Sequence, residues 1–170
     1  MRVALEHAGL GDRDVLENLL SLYVHDFSEI LGDAPGSDGR YAYPRLESLL
    51  RSADRRHFLI RADDALAGLV FVSAGSALAG GHADWDMSEF FVVRGRRRRG
   101  VGQRAASAAF RAFPGSWEVR VMDQNKGALE FWTRTVAEHT RGDYRLTKHP
   151  QEEDRLWHVF RFVQPHETGR

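Results

Sequence analysis

Phe90-Phe91-Val92-Val93-Arg94-Gly95-Arg96-Arg97-Arg98-Arg99-Gly100-Val101-Gly102-Gln103 carries an apolar run straight into consecutive arginines and a pair of glycines, and helical spacing continues from Gln103 to Phe113. A helix start leaves backbone N–H groups unpaired and carries the positive end of the macrodipole, so an anion held there gains hydrogen bonds and charge stabilisation together. Glycines at 100 and 102 let the backbone curl round such an anion in shapes closed to other residues, and the neighbouring guanidiniums add charge-assisted contacts. This is the layout of a phosphate cradle.

Downstream, Val101, Ala105, Ala108, Ala109, Ala112 and Phe113 share one helical face, Pro114-Gly115 ends the helix, and Trp117 to Met122 reads as a strand, completing a β-α-β unit. Asn125 to Thr140 is helical through Ala128, Phe131, Trp132, Thr135 and Val136. Tyr144 to Lys148 and Leu156 to Val163 read as strands joined by a charged turn. Upstream, Val3 to Ala8 predicts a strand, and Asp12 caps a helix whose apolar residues run from Val15 to Leu31. Gly32 to Gly39 is a loop, and Pro44 suits the first turn of a short helix through Leu46, Leu49 and Leu50. His57 to Arg61, Leu66 to Ser73 and Met87 to Val93 then predict an antiparallel meander.

Spacing separates the phosphate sites this loop could form. A nucleoside-triphosphate P-loop needs Lys-Ser/Thr directly after its last glycine, whereas Val101-Gly102 follows Gly100 and supplies neither the lysine nor the magnesium hydroxyl. Gly100-Val101-Gly102-Gln103-Arg104-Ala105 fits the dinucleotide pattern G-x-G-x-x-A, with Asp123 ending the next strand where a ribose ligand would fall. Against that, several residues separate Val93 from the first glycine, most of the chain precedes the motif, and too little follows to build the remaining parallel strands.

The wider pattern is more specific: a strand ending Phe91-Val92-Val93, then Arg97-x-x-Gly100-x-Gly102 opening an alanine-rich helix, the strand from Trp117, then Asn125-x-x-Ala128-x-x-Phe131-Trp132. That resembles the GNAT superfamily of N-acetyltransferases, closely over Met87 to His139 and in element order over nearly the whole chain. Within it, Ser88-Glu89-Phe90-Phe91-Val92 and Phe113-Pro114-Gly115-Ser116-Trp117-Glu118-Val119 are most similar to small bacterial predicted acetyltransferases.

The resemblance implies an α+β fold in a single domain over residues 1–170, with a mixed, mostly antiparallel sheet, a central parallel strand pair splayed to hold coenzyme A, and helices on both faces. It implies acetyl-coenzyme A as donor. The pyrophosphate would rest on the N–H groups of Arg98, Arg99, Gly100, Val101, Gly102 and Gln103 behind Arg97, and the pantetheine arm would run along Phe91, Val92 and Val93 as an added strand. Asn125, Phe131 and Trp132 would line the arm's other side.

The chemistry implied is direct transfer from the thioester to a primary amine of a small molecule within a ternary complex. An alkyl amine with a pKa near 10 is almost wholly protonated at neutral pH, so a base must take a proton. Glu89 is the first choice and Asp86 the second; strand alternation puts them on opposite faces unless a bulge intervenes. A backbone N–H near Val92 is expected to polarise the thioester carbonyl. Trp132 stands where many relatives carry a tyrosine that protonates the leaving thiolate, and an indole N–H cannot do so; Tyr144 is the substitute acid. Tyr23, Asp26, Tyr41 and Tyr43 fall in the region that shapes the acceptor pocket in this family.

Composition sets the remaining bounds. Lysine plus arginine (24) equals aspartate plus glutamate (24), so no overall field draws the molecule to nucleic acid or an anionic membrane. Cysteine is absent, which removes disulfides and thiolate catalysis, and the eight histidines lack metal-ligand spacing, so no metal is expected. Ala65 to Gly81 is uncharged yet broken by glycine and serine, and reads as a strand and turn in place of a membrane helix. Charges in Met1 to His7 leave no secretory apolar stretch, so a cytoplasmic protein is expected, and the family resemblance implies pairing as a homodimer. The alternatives are a non-catalytic acyl-coenzyme A-binding or interaction module, a dinucleotide-binding protein and, more distantly, a nucleic-acid binder using Arg94 to Arg99.

Overall fold

The structure, a computed structural model, describes residues 1–150 and 156–166. Of the charged turn expected between Lys148 and Leu156, His149 and Pro150 are the last residues of a strand and 151–155 lie outside the described residues. In chain order the elements are β1 (Val3–Ala8), α1 (Arg13–Leu31), α2 (Leu46–Arg51), β2 (Arg55–Ala62), β3 (Ala65–Ala74), β4 (Trp85–Val92), α3 (Val101–Ala112), β5 (Gly115–Met122), α4 (Lys126–Thr140), β6 (Arg145–Pro150) and β7 (Leu156–Gln164). The strands form a seven-stranded mixed sheet in the order β1-β2-β3-β4-β5-β7-β6, with β4 and β5 parallel. Among the described residues no helix is long and apolar enough to cross a membrane.

The chain divides into two compact units interleaved in sequence, one of Met1–Phe71 with Glu89–Ala105, the other of Val72–Ser88 with Ala106–Arg170. In the first, β1 and β2 pair antiparallel from Val3↔Ala62 to Ala8↔His57. Asp63 and Asp64, both at positive φ (47° and 64°), make the two-residue turn into β3; this primed turn matches the twist of a hairpin, and aspartate tolerates the left-handed region. Leu16, Leu19 and Leu20 of α1 and Leu46 and Leu49 of α2 are buried in one cluster with Leu59, Leu69, Phe71 and Phe91. The helical spacing seen in the sequence is thus a core-facing stripe. Gly68 lets β3 approach β4 closely, since a Cβ there would lie 1.9 Å from the Phe91 carbonyl oxygen.

One cap departs from expectation. Asp12 occupies the N-cap position of α1 but makes no side-chain cap bond to it; its carboxylate turns back to accept the Gly9 N–H (3.0 Å) and closes the preceding 3-10 turn, Leu10–Asp12.

His57 is buried edge-on against Phe71, ring centroids 4.5 Å apart, and its Nε2 has no partner. Burial, helped by the positive charge of Arg55, pushes its pKa down from 6.5 to about 4. Between those values the unfolded chain binds a proton that the folded chain refuses, so stability rises with pH across the window and falls as pH drops from 6.5 towards 4. Unfolding free energies from urea denaturation at pH 7 and pH 4.5 are expected to differ by on the order of 2 kcal/mol from this group, and His57→Leu should flatten that part of the profile.

In the second unit, β5 pairs antiparallel with β7 from Gly115↔Gln164 to Met122↔Trp157, and β6 lines the far edge of β7 from Arg145↔Arg161 to Pro150↔Leu156. Gly115 ends the turn after α3 and already opens β5. A Cβ at that residue would lie 2.7 Å from Asp84 Oδ2, which accepts the N–H and Oγ–H of Ser116. Phe110 of α3 packs against Trp117 and Phe162, each at 4.9 Å between centroids, and against Trp132 of α4 at 6.3 Å. Trp117, Val119 and Val121 are buried at alternate positions of β5, which leaves Glu118 and Arg120 to the opposite face.

Candidate active site

In the first unit, β4 stops at Val92 and a 3-10 turn, Arg94–Arg96, leads to Arg98 in the left-handed region (φ 58°) and Gly100 (φ 74°). The first bond of α3 runs from the Arg104 N–H to the Gly100 carbonyl (3.1 Å), so the amides of Val101 and Gly102 precede the helical ladder. Nothing comes nearer than 3.8 Å to a Cβ placed on Gly100, and the nearest atoms belong to the Arg104 guanidinium. An anion can therefore approach the cationic helix start. Val101 and Ala105 are buried and hold that end of α3 in the core, while Arg98 and Arg99 are exposed.

Arg97 behaves differently. Its Nε donates to the Val92 carbonyl (2.7 Å), its guanidinium lies 5.5 Å from the Phe91 ring centroid, and a terminal N–H donates to the Asp26 carboxylate. Arg94 Nε reaches the other oxygen of Asp26 at 2.9 Å. Burial raises the Asp26 pKa, but hydrogen bonds and charge from Arg97 and Arg94 outweigh it and hold the carboxyl below its ordinary value.

Glu89, half-buried on β4, accepts the Tyr43 O–H at 2.5 Å. Burial first, then the Glu89 charge, pushes the Tyr43 phenol well above its ordinary pKa, so it keeps its proton and serves as donor. Tyr23 stands edge-on to Phe91 (5.9 Å), and Tyr41 stands edge-on to His25 (5.4 Å) while its N–H donates to Ser21. Of the residues expected to shape an acceptor pocket, Tyr43 thus meets Glu89, whereas Asp26 is engaged by the loop arginines.

In the second unit, Asp86 is 1 % exposed and Arg120 takes both of its oxygens (3.0 and 3.1 Å). Asn125 caps α4, its Oδ1 accepting the Ala128 N–H (3.0 Å). Trp132 is buried beside Phe131, and Tyr144 tilts onto Phe160. Asp123 accepts from Lys126 (2.8 Å) and pairs with His158 Nε2 (2.7 Å); the Lys126 hydrogen bond, then that of His158, lowers its pKa to about 2. The acetyltransferase (GNAT) family matches residues 16–136, more than half of the chain. The chain belongs to that family.

This GNAT acetyltransferase, acetyl-coenzyme A dependent as the family is, has no match among curated proteins. Its fold is that of an acetyltransferase from Thermus thermophilus (20% identity, TM-score 0.69, covering 94% of this chain and 96% of that one). It is also similar to a spermidine N-acetyltransferase from Vibrio cholerae in complex with CoA and spermine (14%, TM-score 0.64, 95% of each chain) and to a nourseothricin acetyltransferase (16%, TM-score 0.57, 97% and 100%).

Glu118, Arg120 and Arg161 form a part-buried charged cluster that no motif in the sequence singles out. Glu118 is fully buried; it accepts from Arg161 at 2.9 and 3.1 Å and from Ser76 Oγ at 2.9 Å. The alternation Trp117-Glu118-Val119-Arg120-Val121 reads as a half-exposed strand, and the one available clue was that its polar positions carry opposite charges.

Proposed function

We propose that this GNAT acetyltransferase moves the acetyl group of acetyl-CoA directly onto a primary amine of a small molecule in a ternary complex, with Glu89 as the base. The observation that carries this reading is the Tyr43–Glu89 hydrogen bond: a half-buried carboxylate on the strand leading into the arginine loop, aimed by a phenol that holds its proton. A carboxylate offers about four acceptor sites, so accepting the Tyr43 O–H is compatible with taking a proton from the acceptor ammonium. The freed amine nitrogen then attacks the thioester carbon, the C–S bond breaks, and coenzyme A leaves as a thiolate that takes up the proton the newly acetylated nitrogen gives up. Asp86 is the weaker base in this reading because Arg120 occupies both of its oxygens.

In the first unit, Arg98 to Gln103 would hold the pyrophosphate and Phe91 to Val93 the pantetheine arm. β4 and β5 pair in parallel at Trp85↔Trp117 and Asp86↔Glu118, the strand arrangement that the family resemblance implies. Relatives named for spermidine and nourseothricin support a small-molecule acceptor.

Calorimetric titration tests the donor site. Acetyl-CoA is expected to bind and NADH not to. Gly100→Val, forced into the left-handed region that valine resists, should weaken acetyl-CoA binding by about 10-fold or more. Preference for NADH would overturn the reading. Trp132 at the usual tyrosine position favours a second one, an acyl-CoA-binding module without catalysis, which intact acetyl-CoA binding with no turnover of any amine would establish.

A further inference from the structure

Asp26 fell among the expected acceptor residues, yet its partners belong to the loop that would hold the donor. We infer that Asp26 is a positioning residue for the coenzyme A loop: from α1 it clamps Arg94 and Arg97 and so fixes the path of the backbone from Val93 to Gly100. The inference rests on the acetyl-CoA reading above.

The geometry is a two-ended clamp. One carboxylate oxygen receives Arg94 through Nε (2.9 Å) and a terminal nitrogen (2.8 Å), and the other receives Arg97. Arg94 begins the 3-10 turn and Arg97 follows its last residue, so a single side chain on α1 grips the turn at both ends. Arg97 is held a second and third time, by the Val92 carbonyl and the Phe91 face, which ties the clamp to the last residues of β4.

The loop needs such a hold. Arg96 to Arg99 place like charges side by side, and Arg98 sits at φ 58°, a conformation that disfavours residues with a Cβ and persists when the surroundings impose it. The Asp26 side chain is 18 % exposed but Arg94 and Arg97 are 67 % and 41 % exposed, so solvent screens each pair in part and the hold comes from one carboxylate engaging both arginines. Its support is firm, because α1 is anchored in the core by Leu16, Leu19 and Leu20. With Arg94 and Arg97 engaged by Asp26, the charge offered to a phosphate comes from Arg98, Arg99 and the helix start. The carboxylate therefore governs donor affinity by shape and takes no part in recognising the amine.

The test compares the parent with Asp26→Asn, Asp26→Glu and Arg94→Gln in three readouts: the calorimetric Kd for CoA, the KM for the amine, and the rate of tryptic cleavage in the arginine loop without ligand. Asp26→Asn is expected to weaken CoA binding by about 10-fold, to leave the amine KM unchanged and to speed cleavage at Arg98 and Arg99. Asp26→Glu should recover part of both changes. Arg94→Gln, at a largely exposed side chain where folding is not at stake, should fall between. Unchanged CoA affinity and cleavage with a raised amine KM would return Asp26 to the acceptor pocket and overturn the inference. Failure of the parent to bind CoA would sink the donor reading, while the cleavage rates would still decide the clamp.

Discussion

Glu89→Gln is expected to lower kcat by about 10²- to 10⁴-fold while acetyl-CoA binds as before. The substitution keeps the side chain's size, and an amide carbonyl can still accept the Tyr43 O–H, so the local packing survives. What is lost is the ability to take up a proton. An acceptor ammonium with a pKa near 10 is then left to lose its proton to water, and the neutral fraction at pH 7 is about one part in a thousand. The variant's rate should therefore climb with pH as the free amine becomes common, steeply where the parent's profile is already flat. Tyr43→Phe is the companion. Removing a hydrogen bond to the charged form disfavours the carboxylate, so the acidic limb of kcat/KM is expected to move to higher pH with a smaller fall in kcat. An unchanged kcat in Glu89→Gln would remove Glu89 from the chemistry.

The sequence disclosed what local physics controls. Helical and alternating periodicity placed each of the eleven elements to within a few residues, because a stripe of leucines or an alternating strand needs no knowledge of its partner to be recognised. The arginine-glycine loop was equally legible, since its shape depends on glycine and a helix start within a few residues. Pairings across long separations stayed hidden. Tyr43 meets Glu89 across 46 residues and Arg97 meets Asp26 across 71, and a single sequence holds no sign of which of 24 acidic residues each will find. Asp26 and Tyr43 were both assigned by region to the acceptor side, and only side-chain geometry separates them. Asp12 shows the same limit at short range: its place as a cap was readable, but which of two competing N–H groups it serves depends on the turn before it.

Arg120→Met should destabilise the protein by about 3 to 5 kcal/mol, the cost of taking from a buried carboxylate the guanidinium that binds both of its oxygens. Asp86 and Glu118 are registered directly opposite each other on the parallel strands, 1 % and 0 % exposed. Like charges so placed repel, and neither carboxylate has water to screen it. Arg120 forks onto both oxygens of Asp86, while Arg161, opposite Glu118 on β7, covers the second acid, so two carboxylates and two guanidiniums balance. Methionine keeps the volume and the contact over Trp157 but supplies no donor. Urea denaturation of parent and variant at one pH measures the loss. Adding Asp86→Asn should return much of the stability by removing the stranded charge, whereas a loss below about 1 kcal/mol would mean that water reaches these acids and the strand is half-exposed, as its alternation suggests. Asp86→Asn alone also decides between the two bases. If it matched Glu89→Gln in kcat while its stability held, the proton would pass through Asp86, and the Tyr43–Glu89 pair would have to be explained as packing.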